Sequence, residues 1–141
     1  VVPILVRAAL TGEPMPVHDD GTQTRCFTYV ADLVDALVAA GEKPGLGRLL
    51  HVGSTDEVAI RDLAAMVGEL AGTGPLVRHE RPRDRWGERY EDIARRVPEV
   101  SLARTILGWE PRTPLREGLR LTIDWQRTQL GLVAQRTATT G

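Results

Sequence analysis

Between Glu57 and Gly72 the chain carries its most restrictive pattern. Ile60, Leu63, Ala64, Val67, Leu70 and Ala71 recur at three- and four-residue spacing, which lines one side of an α-helix with apolar side chains. Gly72 follows the last of them, where a left-handed backbone can end a helix without a Cβ penalty. A stripe of this kind must be covered, so the rest of the sequence is constrained to supply the cover. The residue ahead of the helix is Ala59. It offers no side-chain oxygen to a free backbone N–H, which forfeits about 1 kcal/mol of capping.

Short apolar runs on both sides of this helix read as strands. Met15 to His18 forms a small one between the turns "TGEP" and "DDGT", and Arg25 to Val30 forms another. "RLLHVGS", residues 48–54, reads as a buried sheet-core strand whose neighbours are not evident in the chain, and "LVRHE" as a short strand. Further helices are expected over residues 3–10, and around Leu33, Val34, Leu37 and Val38 up to Gly41, with Asp32 and Asp35 at the end where the helix dipole favours negative charge. Ser101 is expected to cap "LARTIL", stopped by Gly108 and Pro111, and Thr113 and Pro114 to start a last helix reaching about Leu130. Strands alternating with helices give the class α/β. The opening "VVPILV", without an initiator methionine, reads as the middle of an element, so the chain is expected to be a fragment. Residues 1–130 are expected to form one folded region, and residues 131–141 a disordered tail with little to bury.

Charge and residue usage narrow the partners. Eighteen basic residues face nineteen acidic ones for a net charge of −1, so no whole-chain field draws the chain to nucleic acid or an anionic membrane. An anion would have to be held by local geometry. No apolar run approaches the length of a membrane span, and the single Cys26 allows no internal disulfide. A cytoplasmic setting is expected. The three histidines lie far apart in sequence and give no metal-ligand spacing. Cys26 has no sequence-local base and reads as a small apolar residue rather than a nucleophile. Trp86, Trp109 and Trp125 read as packing residues. "GEKPGLG" carries glycines at dinucleotide-loop spacing but follows a helix and precedes a strand. A pyrophosphate loop needs the reverse order, because the helix N-terminus must face the phosphates.

The successive segments "TGEPMPVHDDGTQTRCFTYVADLVDAL", "LLHVGSTDEVAIRDLA" and "YEDIARRVPEVSLARTILGWEPRTPLREGL" resemble, in order and spacing, the C-terminal half of extended short-chain dehydrogenases. These are the NAD-dependent nucleotide-sugar epimerases, 4,6-dehydratases and decarboxylases. The resemblance runs over roughly residues 1–127. It implies the substrate-binding part of a Rossmann-type enzyme without its N-terminal dinucleotide-binding half, whose partners would be a nucleoside-diphosphate sugar and that missing half or a partner chain, with a homo-oligomer as a further option.

The family's catalytic Tyr-x-x-x-Lys cannot occur here, since the one lysine, Lys43, has Ala39 four residues before it. The resemblance therefore implies no cofactor held by this chain alone, and NAD for a complete enzyme, which oxidises a sugar hydroxyl and later returns the hydride. Arg25 occupies the position of a diphosphate-binding arginine in the family's "G-x-Q-T-R" segment; the other reading is an ordinary solvated or salt-bridged arginine. A guanidinium suits phosphate because it stays charged and presents a planar fork. Arg96 matches a second such arginine, with Arg95 as the choice if the register slips by one, although residues 78–96 mix seven arginines with five acids and also read as a solvated charged loop. Met15 and Val17 correspond to the strand whose backbone and apolar atoms hold the base, and His18 stands where the family has tyrosine. His51 stands where many dehydratases have asparagine, and is either a ligand contact or a packed histidine. Two functions remain open: the substrate-binding half of an enzyme, or a stand-alone non-catalytic remnant.

Overall fold

A computed structural model describes residues 1–43 and 47–132, without the side chains of residues 85 and 86. The elements in order are α1 (Val2–Thr11), β1 (Met15–His18), β2 (Thr24–Cys26), α2 (Val30–Gly41), β3 (Glu57–Ala59), α3 (Ile60–Ala71), β4 (Val77–Glu80), α4 (Pro82–Trp86), β5 (Arg95–Arg96), α5 (Ser101–Leu107) and α6 (Leu115–Gln129). This is the expected α/β alternation.

The apolar stripe of α3 is covered as its periodicity requires. Ile60, Leu63, Ala64 and Val67 bury against Leu5, Val6, Ala8 and Ala9 of α1, Met15 and Val17 of β1, and Leu119 and Ile123 of α6. No side chain caps α3 at Ala59, and Gly72 closes it at φ 80°. Gly68 has a separate task. A Cβ there would collide with the Gly74 carbonyl oxygen, so the loop leaving α3 can fold back onto the helix only over a glycine. Thr73 and Gly74 both donate to the Gly68 carbonyl, each at 3.1 Å.

Two small sheets flank this body. β1 and β4 pair in parallel, Met15 opposite Val77. The second sheet runs β3-β2-β5: β3 is antiparallel to β2 with Cys26 opposite Glu57, and β5 is parallel to it with Arg25 opposite Arg96. β3 leads directly into α3, so this polar sheet is fixed to the apolar body by a continuous backbone.

Several expectations need correction. Residues 48–54 form no strand, and Leu49 is 82% exposed. A strand is stable only when its N–H and C=O groups find a ladder, and none is offered among the described residues. The expected strand from Arg25 to Val30 ends at Cys26, because β3 and β5 are short and give no pairing beyond it; Val30 already opens α2. α2 lies where its periodicity puts it, yet turns the apolar face outward: Val30, Leu33, Val34, Leu37 and Val38 are exposed, while Asp32 and Ala36 are buried. Asp32 explains this orientation. Its carboxylate accepts the Thr113 N–H at 2.9 Å and its carbonyl accepts the indole N–H of Trp109 at 2.8 Å. Those two bonds tie the polar face of α2 to the entry of α6. Trp109 is thus a packing residue, but Trp125 is 62% exposed, and the side chain of Trp86 lies outside the described ones.

Capping also differs from expectation. Val100 is the N-cap of α5, and Glu99 accepts both the N–H and the hydroxyl of Ser101. The start of α6 agrees with expectation, with Pro114 as its N-cap. The middle of "GEKPGLG" and residues 133–141 of the expected tail lie outside the described residues.

Candidate functional site

Arg25 sits in the middle of β2, the central strand of its sheet. Its side chain is only 14% exposed. Nη1 donates to the Thr24 carbonyl at 2.7 Å and Nη2 to Oδ1 of Asp92 at 2.7 Å. The other oxygen of Asp92 lies 3.9 Å from Nδ1 of His18. The sheet therefore holds a guanidinium nearly out of water, with one carboxylate as its counter-charge.

The strand register settles how the neighbouring arginines differ. Arg95 is opposite Thr24 and Arg96 opposite Arg25, so side chains of the two pairs point to opposite faces of the sheet. On the first face Arg95 clasps Glu57, Nη2 lying 2.6 Å from Oε1 and Nε 3.0 Å from Oε2, and the Thr24 hydroxyl donates to the same carboxylate at 2.9 Å. This clasp holds the Glu57 carboxyl below its ordinary value, first through the Arg95 hydrogen bonds and then through Thr24. Arg95 is thereby occupied. Arg96 is exposed and makes no ion pair among the described residues.

A cleft of about 880 Å³ opens beside this pair, lined by Arg25, Arg96, Cys26, His51 and Glu99 among others. Its floor is built by a close approach: Ser54 donates its N–H to the Thr28 hydroxyl at 2.9 Å, and Gly53 lies over Thr28 and Pro98. His51 is exposed at its wall and is not packed in the core of the described residues. The Cys26 thiol is pushed up from its ordinary value by burial, and further by the Glu57 and Asp56 charges. It is poorly suited to be a nucleophile.

Three of the five expected site residues, Arg25, Arg96 and His51, thus meet at one cleft. Met15 and Val17 do not; both residues are fully buried in the core, main chain included. Pro16 and His18 between and beside them line a second recess, of about 380 Å³, with Arg25, Tyr90 and Asp92. Sequence reasoning missed Asp92 and Glu57, the two carboxylates that decide which arginine is engaged. For Asp92 the signal was the acidic content of residues 78–96 itself, which composition alone reads as solvation; Glu57 lies outside that stretch and had none.

The described residues contain no loop of the kind that holds a dinucleotide. Among the described residues no glycine-rich turn joins a strand to a helix N-terminus: β3 runs into α3 without a loop, and α2 starts at Val30 after an extended segment that ends at Tyr29. Nor do the described residues contain a group of His, Cys, Asp and Glu able to hold a metal ion, or a helix long and apolar enough to cross a membrane.

Comparison with known proteins bears on the fold and the family. Residues 1–53 match the model of the NAD dependent epimerase/dehydratase family. The chain is 35% identical over 127 residues to UDP-N-acetyl-alpha-D-glucosaminuronate decarboxylase of Bacillus cytotoxicus, covering 90% of this chain and 40% of that protein. It is 36% identical over 130 residues to UDP-glucuronic acid decarboxylase 1 of Xenopus tropicalis, covering 92% and 29%. Among solved structures, an epimerase of Methanothermobacter thermautotrophicus superposes with a TM-score of 0.82 at 30% identity, over 94% of this chain and 38% of the other. MoeE5 in complex with UDP-glucose and NAD superposes with a TM-score of 0.80 at 35% identity, over 92% and 42%. The chain spans 40% or less of the length of these two decarboxylases. Within that span, sequence and fold agree with these relatives over nearly the whole of this chain, and its first 53 residues match the NAD dependent epimerase/dehydratase family.

Proposed function

We propose that residues 1–130 form the substrate-binding part of an NAD-dependent nucleotide-sugar epimerase, dehydratase or decarboxylase, working in the cytoplasm, and that the nucleoside diphosphate is held between Arg25 and Arg96. The observation that carries this reading is the β2–β5 register, with Arg25 opposite Arg96 beside a cleft of about 880 Å³. Two guanidinium groups reaching one diphosphate would explain anion binding by a chain of net charge −1. His51 is assigned a contact with the sugar nucleotide from the wall of the cleft, and Met15 and Val17, buried in the core, the task of holding β1 in place beside the base. NAD would be bound by the rest of such an enzyme. The solved MoeE5 complex holds UDP-glucose and NAD together, which supports a sugar nucleotide and NAD as the two ligands of a complete enzyme. The outward apolar face of α2 is suited to pack against such a remainder or a partner chain.

Titration calorimetry tests the reading. Arg25→Ala is expected to weaken UDP binding about tenfold or more, from the roughly 1.5–3 kcal/mol of a charge-assisted pair. Arg25→Lys, which keeps charge but not the fork, is expected to recover part of it. The 141-residue chain alone is expected neither to bind NAD nor to turn over a UDP-sugar, so micromolar NAD binding would contradict the division. Light scattering is expected to report self-association through α2; a clean monomer at high concentration argues for a self-contained module.

A further inference from the structure

We infer that Asp92 is a built-in competitor for the diphosphate at Arg25, so that a nucleotide enters by exchanging one counter-ion for another. This rests on the reading of Arg25 as a phosphate-binding residue. The Arg25 side chain is 14% exposed and that of Asp92 22%, and they meet at 2.7 Å. A guanidinium so withdrawn from water is costly without a counter-charge, and Asp92 supplies it in the absence of ligand. A phosphate oxygen needs the same N–H groups and is repelled by the same carboxylate. The Thr24 carbonyl, a neutral acceptor, holds Nη1 from within β2, so the fork keeps its place while the charge facing it changes.

Asp92 and Arg96 belong to one segment, four residues apart. That segment presents a carboxylate to Arg25 and, to the cleft, a guanidinium with no ion pair among the described residues. While Asp92 holds Arg25 the pair is close to neutral, and Arg96 is the remaining guanidinium at a cleft whose wall also carries Glu99. An anion that reaches only one arginine therefore gains little, whereas a diphosphate spanning both can displace the carboxylate. Asp92 thus selects for a doubly charged, extended anion at the cost of affinity.

The consequence is a pair of opposite effects from one substitution. Asp92→Asn keeps the shape and an acceptor oxygen but removes the charge. In the 141-residue chain it is expected to tighten UDP binding on the order of tenfold and to lower the melting temperature by a few degrees. UDP titrations on wild type, Asp92→Asn, Arg25→Ala and the double variant make the cycle. The gain from Asp92→Asn should largely vanish when Arg25 is alanine. Unchanged or weaker UDP binding by Asp92→Asn overturns the inference and makes Asp92 a group that merely positions Arg25. An equal gain with and without Arg25 also overturns it, because it shows only a long-range charge effect. Equal UDP affinity in wild type and Arg25→Ala, or none in either, removes instead the reading of Arg25 on which the inference stands. Asp92→Ser, a smaller neutral residue, runs through the same cycle if circular dichroism shows the asparagine variant to be unfolded.

Discussion

The body made by α1, α3, α6 and β1 and the sheet made by β3, β2 and β5 are held together by different physics. In the body, Leu5, Val6, Met15, Val17, Leu63, Val67 and Ile123 are fully buried and contribute through area and close packing. In the sheet, strands of two or three residues are too short to be stable by their own ladders. Charged side chains bridge them instead: Glu57 to Arg95 on one face, Arg25 to Asp92 on the other. The rigid part carries the stability, and the part that can exchange ions carries the site. Substitutions in the two regions should therefore report differently on folding and binding.

The largest effect is expected in the body. Leu63 has no exposed surface and sits between α1, α6 and β1, so Leu63→Ala should cost about 2–5 kcal/mol of unfolding free energy. A urea titration measures it, with UDP affinity unchanged under conditions where the variant is folded. If Leu63→Ala instead weakened UDP as much as Arg25→Ala does, body and site would not be separable.

A smaller loss is expected at Gly68. An added Cβ meets the Gly74 carbonyl oxygen, which is backbone and cannot rotate aside, so Gly68→Ala should cost about 1–3 kcal/mol. The same titration applies. A stability equal to wild type would mean that the 73–75 loop yields freely.

Within the sheet, Arg96 and Arg95 sharpen the contrast because they are sequence neighbours on opposite faces. Arg96→Ala should weaken UDP about tenfold with little change in melting temperature, since Arg96 has no ion-pair partner among the described residues. Arg95→Ala should do the reverse, as its partner is Glu57. Calorimetry and thermal melts on both variants decide it. Loss of UDP binding in Arg95→Ala alone would move the site to the other face.

How far the sequence revealed this follows the same division. The α3 stripe, the Gly72 stop and the strand Met15–His18 were legible because burial on one side leaves a periodic trace. Arg25 and Arg96 were legible as candidates through family resemblance. Their strand pairing was not, because two-residue β5 has no alternation to detect. The outward turn of α2 was hidden too: its apolar spacing predicts a helix, but the face it presents depends on Asp32 meeting Thr113 and Trp109, contacts more than seventy-five residues away. "RLLHVGS" misled for the converse reason, since apolar β-formers make a strand only where a ladder is available.

The smallest effect is a pH dependence that should appear at the clasp. Arg95 and then Thr24 hold the folded-state Glu57 carboxyl below its ordinary value of 4.5. A carboxylate depressed in the folded state favours folding when ionised, so its contribution is complete above the unfolded value and is lost as pH falls through the folded one. Glu57→Gln removes that titration while leaving an amide to meet Arg95 and Thr24. Glu69, Glu99 and Glu117 are also depressed, by Arg116, by Ser101 and by Arg120, so acid destabilises wild type and variant alike. Only the difference between the two isolates Glu57. Melting curves from pH 7 down to pH 3 should show wild type above Glu57→Gln at neutral pH, with the gap closing below about 4.5. The gap should be modest, because the clasp is open to water and salt screens it. A gap that stays constant through the acid range would mean that Glu57 acts by shape rather than charge, and the sheet would then resemble the body more than the ion pairs suggest.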